Sequence, residues 1–269
     1  LSMVTLEPVR PLATADLEAA GMTWHTEQDG SAYLAPEMVL VQEAEAAALA
    51  AAASALQAMY LQAAGEVIAQ RRYAELGIPA NLEPLIEDSW ARADPLLLGR
   101  FDLAGGLAGE SVKLLEFNAD TPAGVLETSL LQWLLLKVNG LDEERQFNDL
   151  HETLQRHLQA SLPARATILF SSLRGLAEDE ATTRYLQTVA HEAGFFTDYG
   201  YLDEAGFADR DGVFNRDGQR ADLWFKLYPW DVLAAEELEV ARLLAGIQRD
   251  GHTRVLNPAY SAVLHSKGL

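Results

Sequence analysis

From residue 37 to residue 76 the chain is rich in Ala, Glu, Gln and Leu, with no proline and no glycine before Gly65. These residues lose little side-chain freedom in a helix, so one long helix is predicted there. Gly77-Ile78-Pro79 ends it, because proline cannot continue a helix and restricts the residue before it. A shorter helix is predicted over Leu82 to Ala91. Two apolar stretches, Leu97 to Leu103 and Val112 to Phe117, flank Gly105-Gly106-Leu107-Ala108-Gly109, which predicts an antiparallel hairpin. Pro122 marks a turn, and Leu126 to Lys137 reads as a helix closed by Asn139-Gly140. Asp142 to Leu158 is predicted helical, Ala166 to Ser171 a strand, and Glu178 to Ala193 an amphipathic helix stopped by Gly194. Phe196 to Tyr201 and Leu223 to Leu227, the latter just before Pro229, are further strands. Strand, helix, strand spacing of this kind predicts a small parallel sheet covered by helices, with a domain change near residue 160. There is no internal repeat and no charge block.

Composition narrows the class. The 269 residues are 49 % hydrophobic, enough for a buried core in one large domain or two ordinary ones. With no cysteine, disulfides, thiolate metal sites and thiol nucleophiles are all excluded. Leu1 to Arg10 lacks the basic end and apolar run of a secretory signal, so a cytoplasmic location is expected. Leu130 to Val138, interrupted by Gln132 and Lys137, falls well short of the roughly 20 apolar residues that cross a bilayer, and no membrane span is expected. A formal charge of -20 disfavours nucleic acid and favours cationic or metal-bearing partners, a polyamine among them. The same excess of acid also serves simple solubility.

The densest polar constellation lies in the hairpin. Side chains on a strand share a face every second residue, so Arg100 and Asp102 point one way, as do Glu116, Asn118 and Asp120 on the second strand. If the strands pair, both sets line one surface while Phe101, Leu115 and Phe117 bury the other. Two carboxylates and an amide oxygen then converge in a hard, all-oxygen environment suited to Mg²⁺ rather than zinc. Arg100 beside them would neutralise charge developing on a phosphoryl or acyl phosphate oxygen. A solvated sheet face with charge pairs across the strands fits the same spacing. Other motifs fail: Gly105-Gly106-x-x-Gly109 lacks the Lys-Ser/Thr of a phosphate loop, His151 and His157 fall on different helix faces, and Ser171-Ser172 has no identifiable base.

The stretch "GRFDLA…VKLLEFNADTPAGVLE" resembles the signature of the glutathionylspermidine synthases, an Arg-x-Asp strand followed by a Glu-x-Asn-Ala-Asp strand. The resemblance runs on through "YLAPEMVL", "GIPANLEPLIEDSW", "QFNDLHETL", "EDEATTRYLQTVAHEAGF", "LWFKLYPWDVL" and "RVLNPAYSAVLHSKGL". It implies an α/β (α+β) protein with a circularly permuted ATP-grasp ligase fold. It divides the chain into a helical region with the catalytic hairpin (1–160), a small α/β domain (161–255) and the start of a nucleotide-binding lobe (256–269), with the remainder of that lobe expected to be absent. The activity implied is ATP-dependent ligation of a carboxylate to an amine through an acyl phosphate. The implied substrates are a glutathione-like peptide and a polyamine, and the cofactors ATP and Mg²⁺. By resemblance Asp102, Glu116 and Asn118 hold Mg²⁺, Arg100 stabilises the acyl phosphate and contacts ATP, and Lys226 and Lys267 reach ATP phosphates. Asp120 and Thr121 in the turn bind the carboxyl substrate, and Glu178 and Asp179 line the substrate cleft. For that acidic pair, stabilisation of a helix N-terminus is an equal alternative. Tyr33 is followed by Leu34 where the family has a second aromatic, and Thr121-Pro122 matches the stand-alone branch. The cysteine-dependent amidase half of bifunctional members is excluded. The alternatives are a non-catalytic binding module derived from this fold, or a ligase of the same fold for other acids and amines.

Overall fold

The computed structural model describes residues 4–269. Residues 1–3, part of the stretch read for a signal sequence, lie outside the described residues. The strands are β1 (Thr5–Pro8), β2 (Glu37–Leu40), β3 (Arg100–Ala104), β4 (Lys113–Asn118), β5 (Thr167–Ser172), β6 (Phe196–Tyr201), β7 (Gly206–Ala208), β8 (Gly212–Phe214), β9 (Arg220–Ala221), β10 (Leu223–Leu227) and β11 (Arg254–Leu256). The α-helices are α1 (Thr14–Ala19), α2 (Glu43–Ala69), α3 (Glu83–Ala91), α4 (Gln132–Val138), α5 (Leu150–Ser161), α6 (Ala177–Glu192), α7 (Trp230–Glu236), α8 (Leu238–Arg249) and α9 (Ser261–His265).

The predicted parallel sheet exists, in the order β11-β10-β5-β6 with every neighbouring pair parallel. Its inner strands β5 and β10, and β11 beside them, are covered on both faces, as parallel sheets require. Leu169, Trp224 and Val255 point into a core shared with α3, α8 and the end of α2. Ile168, Phe170, Leu223 and Phe225 point the other way, onto α5 and α6. The period of two thus splits β5, β10 and β11 between two cores, while the edge strand β6 contributes only Tyr199, to the second. Both cores draw on residues before and after position 160, so no gap in packing marks that position.

The long helix is shorter than its composition suggests. Residues 37–40 are β2, paired antiparallel with β1, and the helix starts only at Glu43. Glu45 helps set that start, accepting the Gln42 backbone N–H at 3.0 Å. The helical stretch predicted from Asp142 is likewise interrupted at Phe147, which sits at φ 48°, and α5 begins at Leu150. By length and composition α2 alone among the described helices is long and apolar enough to cross a membrane. The sequence reading overlooked it by weighing only the 130–138 window. Its alanines are mostly exposed, whereas Ala64, Val67 and Ile68 near its end are buried in the core.

Candidate active site

The hairpin forms as expected, with Arg100 opposite Asn118, Phe101 opposite Phe117, and Asp102 opposite Glu116. On its inner face the Phe101 and Phe117 rings stack at 3.9 Å, and Tyr60 of α2 meets both edge-on at 5.7 and 5.2 Å. Burying an aromatic of this size contributes on the order of 2 kcal/mol, which anchors the ribbon to α2. Gly99 permits the close fit, since a Cβ there would stand 2.6 Å from the Phe117 ring. The loop end is tied down separately: the second oxygen of Glu45 accepts the Ala108 N–H at 2.7 Å. Leu115 does not join the buried face and is 66 % exposed. The register shifts after Asp102, with Asp102 opposite Glu116 and Leu103 opposite Leu114, so Leu115 is the extra residue of a bulge and has no partner across the ribbon.

The polar face gathers four of the expected groups. Arg100 is held in a fixed plane, its Nε donating to Asp102 Oδ1 at 2.7 Å, Nη2 to Asp102 Oδ2 at 3.1 Å and Nη1 to the Ala123 carbonyl at 3.0 Å. Gly124, at φ 84°, lets the chain turn so that this carbonyl faces the guanidinium. Hydrogen bonding to Arg100 holds the Asp102 carboxyl below its ordinary range. Asn118 Nδ2 donates to Glu116 Oε1 at 3.2 Å, and Lys267 Nζ pairs with Glu116 Oε2 at 2.8 Å. The hydrogen bond from Lys267 is the main cause of the lowered Glu116 pKa. Lys267 thus lands at the hairpin, on a side chain 80 % exposed.

Glu178 and Asp179 sit in the first turn of α6, both partly buried. The Glu178 pKa is raised by burial first, then by the charges of Glu127 and Asp179, while Arg100 opposes the rise. Asp179 is raised by burial. Two neighbouring acids that both resist ionisation suit proton transfer or a cationic ligand. Thr121 stands partly buried in the turn after β4.

Asp120 and Lys226 do not face this cleft. Strand β4 ends at Asn118, so alternation stops and Asp120 turns inward, where its Oδ2 accepts the Trp230 N–H at 2.6 Å at the start of α7. Lys226 lies in the centre of the sheet between β5 and β11, donating to the Tyr228 carbonyl at 2.6 Å and lying 3.9 Å over the Trp230 ring. Its Nζ is 3.8 Å from Asp120 Oδ1, and both side chains are shut from solvent. Both side chains are sealed beneath the hairpin in this conformation, and neither lies on its polar face.

Burial brings the Lys226 ammonium down to about 8, with Asp120 opposing the fall. An unfolded lysine titrates near 10.4, so above about pH 8 the unfolded chain holds the extra proton and this residue's contribution to stability rises with pH. Asp120, raised by burial, acts in the opposite sense: its contribution is full below the unfolded value near 3.9 and is lost as pH rises through its folded value. Lys226→Met is expected to flatten the rise in melting temperature between about pH 8 and pH 10. An unchanged slope in thermal melts would show that Lys226 keeps its proton.

The sequence reading passed over Asn257, which is buried at φ 51°. Its Oδ1 accepts the N–H groups of Leu97 and Leu98 at 3.0 and 3.2 Å. Its Nδ2 donates to the carbonyls of Leu98, Ala119 and Asp120 at 3.0, 3.2 and 3.0 Å. One amide therefore joins the chain entering β3 to the chain leaving β4. Asn followed by Pro258 after an apolar run was the available signal, because Asn tolerates the left-handed region.

Fold and site together define a mixed α/β protein that presents an arginine, two carboxylates and an amide from one short hairpin, with a second acidic pair nearby. Among the described residues no three His, Cys, Asp or Glu side chains form a ready-made metal cluster; the hairpin face carries two carboxylates, Asp102 and Glu116, and the Asn118 amide. The chain belongs to the glutathionylspermidine synthase preATP-grasp family, whose model matches residues 4–269. It is 30 % identical over 285 aligned positions to a Haemophilus influenzae protein assigned as an acid–amine ligase, across 100 % of this chain and 68 % of that protein. It is also 30 % identical over 100 residues to the glutathionylspermidine synthase of Crithidia fasciculata, covering 35 % of this chain and 14 % of that enzyme.

Proposed function

We propose that this chain carries the acid-activating site of an ATP-dependent acid–amine ligase with a circularly permuted ATP-grasp fold. The observation that carries the proposal is the hairpin face, where Arg100, Asp102, Glu116 and Asn118 converge on one side of a ribbon whose other side is packed. Three hard oxygen donors suit Mg²⁺, which when bound would neutralise phosphate oxygens. Asp102, Glu116 and the Asn118 carbonyl oxygen would hold it, with Lys267 leaving Glu116.

In the reaction a substrate carboxylate oxygen attacks the γ-phosphorus of ATP, and ADP leaves. The amine nitrogen then attacks the acyl carbon, the carbonyl–phosphate bond breaks, and inorganic phosphate departs. Arg100, already oriented by Asp102 and Ala123, faces the oxygen on which negative charge accumulates in both steps. Thr121, in the turn beside it, would orient the carboxylate. Glu178, its affinity for a proton raised, takes the proton that the amine must lose. The acidic pair also supports a cationic amine as the second substrate. A glutathione-like acid and a polyamine are the substrates the family membership favours.

A structural reading also has an observation behind it: Arg100 and Glu116 are already ion-paired, with Asp102 and Lys267. Arg100→Met separates the two readings. If the guanidinium acts on charge that develops only in the transition state, turnover should fall about a hundredfold with substrate binding nearly unchanged. Methionine retains much of the stem's packing, so the melting temperature should stay within a few degrees. A melting temperature that drops while turnover per folded molecule persists would end the catalytic reading. The assay is acid- and amine-dependent ADP release.

A further inference from the structure

The two hairpin carboxylates stand opposite each other across the ribbon, Asp102 facing Glu116, so their like charges repel. Each is relieved by a cation, but the two cations are held differently. Arg100 is fixed in a plane by two hydrogen bonds to Asp102 and one to the Ala123 carbonyl. Lys267 reaches Glu116 Oε2 at 2.8 Å through one ion pair, on a mostly exposed side chain.

The backbone that carries Lys267 is pinned. Helix α9 packs against both β4 and α2. After it, the Gly268 N–H donates to Ser266 Oγ at 3.2 Å and the Leu269 N–H to the Ser266 carbonyl at 3.1 Å. Gly268 lies so close to Leu76 that a Cβ there would stand 3.0 Å from that side chain, and Leu269 packs onto the core beside α2. The ammonium therefore swings on a flexible four-carbon stem from a fixed point. Its place on Glu116 matters for a metal. Glu116 Oε1 already accepts the Asn118 amide at 3.2 Å, and an ammonium at Oε2 repels any divalent ion that approaches the same carboxylate.

We propose that Lys267 is an exchangeable counter-ion of the hairpin, holding Glu116 until a divalent metal displaces it, so that metal entry and release of the lysine are one event. The inference rests on the ligase reading's assignment of a metal to Asp102, Glu116 and Asn118. Binding of Mn²⁺ alone, an oxygen-seeking substitute for Mg²⁺, tests it; the electron paramagnetic resonance of the free ion is followed without nucleotide at about 0.15 M salt. Lys267→Met should bind Mn²⁺ about fivefold more tightly than wild type, the upper range of what an exposed ion pair can impose. Lys113→Met is the control. It removes an exposed positive charge about 10 Å along the same strand, beyond the screening length, and should change affinity less than about twofold. Adding Glu116→Gln to Lys267→Met should abolish the gain.

Equal affinity in wild type and Lys267→Met would overturn the exchange while leaving the metal site intact. A gain that survives Glu116→Gln, or that Lys113→Met reproduces, would overturn it as a general effect of charge. Binding with no dependence on Glu116 in any variant would remove the metal site and the exchange together. The expected trends without acid- and amine-dependent ADP release would support the exchange and sink the ligase reading alone.

Discussion

Glu116→Gln is expected to lower Mg²⁺-dependent ADP release by on the order of a thousandfold while the protein stays folded. Glutamine preserves the shape of the side chain and one oxygen but removes the charge. Of the three donors on the hairpin face, only Asp102 would then be anionic, and Arg100 already holds it through two hydrogen bonds. Glu116 is held by an exposed lysine, Lys267, and by Asn118 rather than by a two-pronged arginine, so it is the carboxylate freer to turn to a metal. Its pair with Lys267 is solvent-exposed, and such pairs add little to stability, so thermal melts of mutant and wild type should nearly coincide. The measurement is ADP release as a function of Mg²⁺ concentration. A mutant with the wild-type rate and Mg²⁺ dependence would remove Glu116 from the metal site. A mutant rescued at high Mg²⁺ would strengthen the assignment, because weakened metal affinity is what loss of a charged oxygen donor produces.

Asn257→Leu should be the most destabilising single change outside the apolar cores. It leaves two N–H groups and three carbonyls around the base of the hairpin without their side-chain partner. At about 1 to 3 kcal/mol for each buried group left unpaired, partial relaxation still leaves a loss of about 5 kcal/mol. The left-handed backbone at φ 51° adds about 1 kcal/mol for a leucine. Since domains are stable by only about 5 to 15 kcal/mol, urea denaturation should find the mutant largely unfolded or close to it. Asn257→Gly separates the two causes: it relieves the backbone, so any remaining loss belongs to the hydrogen bonds. Wild-type stability in the glycine variant would show that the amide does not hold the hairpin's ends together.

These residues show how far the sequence reaches. The sharing of one face by Arg100, Asp102, Glu116 and Asn118 was legible because a period of two is a local property of extended backbone. The same holds for the strands at 167–172, 196–201 and 223–227 and for α6, whose patterns and stop signals lie within their own segments. Local patterning also named the oxygen donors and excluded thiol chemistry.

What it could not decide is which face finds a cover. Leu115 follows the apolar pattern yet is exposed, because the register shift after Asp102 leaves it as an extra residue with no partner across the ribbon. Residues 37–40 look helical in composition and become a strand only because residues 5–8 pair with them. Asp120 and Lys226 carry charges that suggest a surface role, but the end of β4 and the central place of β10 turn them into the interior. Asn257 bonds to positions about 140 to 160 residues earlier. Burial and long-range hydrogen bonding depend on where remote segments end up, so alternation and composition set the chemistry offered by each segment while tertiary packing alone decides which of it reaches the surface of the hairpin and which is sealed beneath it.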